Sequence, residues 1–122
     1  MNEESLATIS AEDIGEDLRR IVISGRLDTP GTNAISADLA EFASAPKRGV
    51  IVDMSAVQFA ASIAIGQLIA NAQAVKHRGG HMVLIVSQYS AVMISMTTTG
   101  IDKIIPVFTN ATEAHVGALR GF

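Results

Sequence analysis

The chain contains no cysteine, no tryptophan and only three prolines. Without thiols, disulfides, cysteine metal centres and thiolate catalysis are excluded. Aromatic side chains are few, four Phe and one Tyr, so a core must be built from Ile, Val, Leu, Ala and Met. Charged residues make up only 17%, and the nine Lys and Arg are scattered with no basic run. That disfavours nucleic-acid binding, because neutralising phosphates takes clustered cations. No segment reaches the roughly 18–20 apolar residues of a membrane span. The opening MNEESLATIS is acidic and lacks the apolar run of a signal peptide. These absences predict a soluble protein; a cytoplasmic location is compatible with them and is the expectation.

What is present is a real core. At 122 residues and 48% hydrophobic, with a net charge of −3, the chain fits one domain and is no disordered tail. That domain spans residues 1–122, with its core from about 6 to 119.

The stretch Gly49–His77 organises the rest. Gly49, Val50, Ile51 and Val52 form an apolar, β-branched run ending at Asp53, which predicts a buried strand. A turn is expected over Met54–Phe59. Ile65, Leu68, Ile69, Ala72 and Val75 then recur at gaps of three and four, the stripe of a helix. Ser62 stands where that helix begins, either as a cap or as a hydroxyl open to modification.

Before this stretch, Leu6–Ser10 and Arg19–Ser24 read as two strands of a hairpin around an acidic turn, Ala11–Asp17. Pro30 and Gly31 end the second strand, and Thr32 or Asn33 caps a helix carrying Ile35, Leu39 and Phe42. After it, Arg78-Gly79-Gly80 stops the central helix, and His81–Val86 is a second buried strand. A helix follows from Ala91 to about Thr98, with Val92, Met93 and Met96 inward and Gly100 closing it. Lys103–Phe108 is a last strand, placed at an edge by Pro106. Asn110 and Glu113 resemble a capping box opening a helix over Ala111–Leu119. Strands alternating with helices make the sheet largely parallel, and the opening hairpin makes it mixed.

Four segments in this order resemble the STAS domain, in particular the small stand-alone anti-sigma-factor antagonists of bacteria. They are SGRLDT at Ser24–Thr29, VIVDMSAVQF at Val50–Phe59, GQLIANAQAVKHRGGHMVLIV at Gly66–Val86 and TGIDKIIPVF at Thr99–Phe108. The resemblance implies an α/β single domain, with a mixed, mostly parallel sheet of about five strands and about four helices packed mainly on one side. It also implies a partner switch. Such proteins bind a serine kinase that doubles as an anti-sigma factor, and phosphorylation of a serine at the start of the second helix releases them.

The family motif there is Asp-Ser-Ser/Thr-Gly, then a hydrophobic residue and Gly. Here it reads Ala61, Ser62, Ile63, Ala64, Ile65 and Gly66. Ser62 falls on the phospho-acceptor position and Gly66 is retained, but the acid, the second hydroxyl and the first glycine are gone. A phosphate at a helix N-terminus remains electrostatically favoured. The segment Phe59–Ile65 has become an apolar patch with one hydroxyl, suited to a hydrophobic contact. The expectation is a copy that binds its partner but is poorly phosphorylated at Ser62, or not at all.

The expected partner-binding residues are Asp28, Phe59, Ala61, Ser62, Ile63, Ile65 and Gly66. Asp28 has a second reading, a turn residue bonding its own backbone, and Asp53 reads as holding the turn after the central strand. His77 and His81 have helical metal spacing, but Gly79-Gly80 break the helix between them. No nucleophile sits beside a base, and no glycine-rich phosphate loop or metal constellation is visible, so no catalytic residue, cofactor or metal is expected. The partners implied are a serine kinase or anti-sigma factor and, weakly, a second copy of the chain. The rival functions are a structural STAS subunit of a larger signalling assembly, and a small-molecule or lipid-binding STAS module.

Overall fold

The computed structural model of the protein describes residues 7–120. Leu6, where the first strand was expected to begin, lies outside them. Five strands and four helices follow in the order β1 (Thr8–Ile14), β2 (Leu18–Leu27), α1 (Thr29–Ala43), β3 (Gly49–Ala60), α2 (Ser62–His77), β4 (His81–Ile85), α3 (Ala91–Thr99), β5 (Val107–Phe108) and α4 (Ala111–Arg120). The sheet order is β1-β2-β3-β4-β5. β1 runs antiparallel to β2, and every other pairing is parallel. This is the mixed, mostly parallel sheet expected.

The two sheet faces are unequal. One carries the main core: Ile21, Ile23, Val50 and Val52 from the strands meet Leu39 of α1, Leu68 of α2 and Met96 of α3. The other carries a small cluster, in which Leu18, Ile51 and Val83 meet Ala114 and Ala118 of α4. Three helices therefore pack on one side and one on the other. Gly49 permits the α4 contact, because an added Cβ would lie 2.7 Å from the Ala118 carbonyl oxygen.

Several boundaries differ from expectation, the last strand among them: it spans only Val107–Phe108, because Ile101–Lys103 form a short 3-10 turn and Pro106 lies before the strand. The acidic turn is shorter, because Glu12 and Asp13 belong to β1 and only Gly15–Asp17 turn the chain. An edge strand with one wet face tolerates these carboxylates, and Asp13 pairs with Arg19 at 2.7 Å. Helix α1 starts earlier than Thr32. Asp28 is its N-cap and accepts the Gly31 N–H at 2.9 Å. Pro30 stands in the first turn, where its missing N–H has no helical partner to lose.

The largest difference is β3, which does not stop at Asp53 but runs to Ala60. Its pairing with β4 ends at Asp53, while its pairing with β2 continues to Ala60 opposite Leu27. Two register shifts interrupt that continuation: Met54 and Ser55 face one β2 residue, and one further residue is inserted between Val57 and Phe59. The bulges replace alternation by a period of three, so Met54, Val57 and Ala60 are buried and the residues between them exposed. Gly25 of β2, at φ 97°, lies between the two shifts, a conformation L side chains rarely adopt.

The cations, scattered in sequence, are partly gathered by the fold. Parallel crossovers return each helix C-terminus to the edge where the next strand begins. The end of α2 (Lys76, His77, Arg78) therefore meets the approach to β3. Arg78 donates to the Ala43 carbonyl at 2.6 Å and the Lys47 carbonyl at 3.2 Å, and the His81 N–H donates to Arg48.

Candidate functional site

The far ends of β2 and β3 bring the predicted residues together. Arg26 and Phe59 are register partners there, as are Leu27 and Ala60, and the Ala61 N–H donates to the Leu27 carbonyl at 2.9 Å. The Arg26 guanidinium lies over the Phe59 ring, 4.7 Å from its centroid. Its Nε is 3.8 Å from Asp28 Oδ2. Asp28 is thus tied to the site by charge while its other oxygen caps α1. The second reading of Asp28, bonding its own backbone, holds in this form.

Phe59 and Ile63 are each 37% exposed and flank the exposed Ser62. Ala61 is half-buried. Ile65 is not on this face. It is turned into the core with Ala64 and Leu68, because it begins the inward stripe of α2. The patch is therefore Phe59, Ala61, Ser62 and Ile63, without Ile65. Gly66 is exposed in the second turn of α2, and an added Cβ would meet nothing within 4 Å.

Ser62 does not cap α2. The N-cap is Ala61, and no side chain accepts a hydrogen bond there. Ser62 falls one residue too late, on the first helical position. The other three helix starts are all capped: α1 by Asp28, α3 by Ser90, whose Oγ accepts the Met93 N–H at 3.1 Å, and α4 by Asn110, which accepts the Glu113 N–H at 2.9 Å. The first turn of α2 also holds no acidic residue. Its positive end faces outward beside two exposed apolar side chains.

Asp53 lies away from this patch, at the first β3 bulge. It is 4% exposed, and its Oδ1 accepts the Ser55 N–H at 3.0 Å and the Ser55 hydroxyl at 2.7 Å. Its Oδ2 pairs with the Arg20 guanidinium. Burial pushes this carboxyl up, but the hydrogen bonds from Ser55 and the Arg20 charge outweigh it and hold the group below its usual value. Its task is structural, as expected, although it stabilises a bulge and not a turn. His77 ends α2 and His81 opens β4, so the pair never shares a helix. Among the described residues, no three His, Asp or Glu side chains cluster to hold a metal ion, and no helix is long and apolar enough to cross a membrane.

Arg26 escaped the sequence reading because its partner is 33 positions away and only strand register joins them. Tyr89, 94% exposed in the β4–α3 connection, and Ile94, 65% exposed on α3, were also missed. The only signal for Tyr89 is a ring in the polar segment Ser87–Ser90, and Ile94, set in the mostly apolar run Ala91–Met96, carries none.

A five-stranded mixed sheet, with three helices on one face and one on the other, defines an α/β fold in which the β3–α2 junction is presented at one end. The STAS domain model matches residues 8–114, and the chain belongs to the STAS-domain family. The same fold occurs in an anti-sigma factor antagonist from Mycobacterium paratuberculosis, with a TM-score of 0.84 at 19% identity over 97% of this chain and 98% of that one. It occurs in the anti-sigma factor antagonist SpoIIAA in its unphosphorylated form, with a TM-score of 0.66 at 16% identity over 94% of this chain and 100% of that one. An uncharacterized protein with a SpoIIAA-like fold from Shewanella loihica superposes with a TM-score of 0.58 at 12% identity, covering 93% of this chain and 94% of the other. No curated protein is significantly similar in sequence.

Proposed function

We propose that this chain is a non-enzymatic regulatory module that docks a serine kinase or anti-sigma factor through the β3–α2 junction. One observation carries the reading: Phe59 and Ile63 stand exposed on either side of the uncapped start of α2. Each keeps about a third of its surface in water, so a partner would return roughly a third of the ~1.5–3 kcal/mol of full burial, about 0.5–1 kcal/mol each. Arg26 and Asp28 supply a charged rim beside them. The family membership and the anti-sigma-factor antagonists among the structural neighbours support the choice of partner.

Phosphate transfer to Ser62 is slow or absent in this reading. Ser62 is exposed, and the helix end would favour an added phosphate. Its neighbours Ala61 and Ile63, however, offer no acid and no second hydroxyl to position the γ-phosphate donor, and Ile63 adds bulk beside the acceptor. Docking is therefore close to constitutive.

Two measurements test this. Incubation with the cognate kinase and ATP, followed by intact mass, should leave the protein largely unmodified; rapid stoichiometric phosphate on Ser62 overturns the slow-transfer reading. Capture of the kinase should be lost in Phe59→Ser and Ile63→Ser and in Ser62→Asp. Undiminished capture by all three sinks the docking face and favours a structural subunit held by another surface.

A further inference from the structure

We infer a second binding site at the opposite end of α2, one that takes a short-chain carboxylate with an apolar body. A cavity of about 170 Å³ opens there between the last turn of α2, the start of β4 and the segment before β5. Ala72, Met82, Ile104 and Pro106 form its apolar wall. Ile104 is 58% exposed, whereas the adjacent Ile105 is buried in the core, so an isoleucine stands at the cavity mouth with more than half its surface open.

The polar side of the cavity carries one charged group, Lys76. Its side-chain polar groups are Lys76 and His81, and no carboxylate lines it. The backbone donors of this corner are spent: Gly79 N–H on Lys76, Gly80 N–H on Val75 and His81 N–H on Arg48. Lys76 has no ion-pair partner among the described residues, unlike Arg19, Arg20, Arg26 and Lys47. A ligand must then fill an apolar wall and accept from an ammonium at the rim. An inorganic anion would leave the wall empty, and a neutral hydrocarbon would leave Lys76 unused. An apolar cavity of ~150 Å³ takes a ligand the size of benzene, so this one suits an apolar body of about six heavy atoms, well below the ~300 Å³ of the smallest drug-sized sites. A membrane lipid chain would leave most of its length outside it. A free carboxylate of about six carbons satisfies both requirements.

Lys76 lies about 21 Å from Ser62 along α2 and Ala72 about 15 Å, so occupancy leaves the docking face clear. It stands or falls independently of the proposed partner.

The test is titration of the ¹⁵N-labelled chain with hexanoate, hexanamide and hexylamine. Hexanoate should shift the amides of Lys76, Gly79, His81 and Ile104 saturably, with a Kd on the order of 1 mM or tighter. Hexanamide should bind about threefold to tenfold more weakly, and hexylamine should not bind. Lys76→Gln should weaken hexanoate by a similar factor, and Ile104→Asn should abolish it. Both residues are exposed, so both variants should melt like the parent. Equal binding of hexylamine, shifts spread over the whole chain or gathered at Phe59–Ile63, or indifference to both substitutions would each overturn the site.

Discussion

The Arg26 guanidinium covers the Phe59 ring across the β2–β3 ladder, 4.7 Å from its centroid. The contact holds an exposed aromatic ring in one place on the proposed docking face, with Asp28 Oδ2 3.8 Å from the Nε of the same cation. An exposed cation–π pair is worth only about 0.5–1 kcal/mol. Arg26→Ala should therefore lower stability by no more than ~1 kcal/mol in urea unfolding. Phe59→Ala should cost kinase capture at least about tenfold, as truncation of an interface anchor does. A large stability loss with unchanged capture would assign the pair to the fold alone.

Ala61 occupies the N-cap of α2 with φ −78° and ψ 168°, a conformation that suits a capping side chain. Ala61→Asp supplies the missing acceptor and a negative charge at the positive helix end. The variant should gain about 1 kcal/mol, read as a raised urea midpoint with unchanged slope. An unchanged midpoint would mean that the first turn is already satisfied.

Gly66 has no steric duty in the monomer. It sits inside a helix with open space where a methyl group would go. Gly66→Ala should stabilise the chain by about 0.5–1 kcal/mol. If a partner backbone approaches α2 closely, the same methyl weakens capture. Higher stability with undiminished capture would remove Gly66 from the docking face.

Asp53 sets an acid limb. Its carboxyl is held below the usual range in the folded chain, so its contribution is full above the unfolded value of ~4 and is lost as pH falls through the lower folded value. Stability should drop below about pH 4, with Asp13, held down at the surface by Arg19, adding to the fall. Asp53→Asn should lose roughly 2–3 kcal/mol at neutral pH and flatten the acid limb. That is less than a fully buried pair, because Arg20 keeps access to water. A variant with an unaltered pH profile would show that other carboxylates control acid unfolding.

Most of the fold was legible because its signals are local. The three-and-four spacing from Ile65 to Val75 marks the inward stripe of α2, and Arg78-Gly79-Gly80 marks its end. Gly100 closes α3 in the left-handed conformation, Asn110 caps α4, and Pro106 precedes an edge strand. What escaped depends on partners distant in sequence. The second half of β3 has no alternating pattern because two bulges change its period, and bulges are defined against β2. Pro30 reads as a breaker until the Asp28 cap makes it a first-turn residue. Ser62 missed the cap by one position, a distance no periodicity resolves. The apolar patch was recognised in sequence, but the inward turn of Ile65 and the cover of Arg26 over Phe59 emerge only from the folded register.

Every strand of the sheet lies beside the one that follows it in the chain. No strand has to be threaded between two neighbours already in place. As the polypeptide leaves the ribosome, each new strand has an open edge waiting for it, and the growing sheet is complete on one side at every stage. Addition of strands from the N-terminal end is thus a natural assembly route, with the two-residue β5 and α4 as the finishing step.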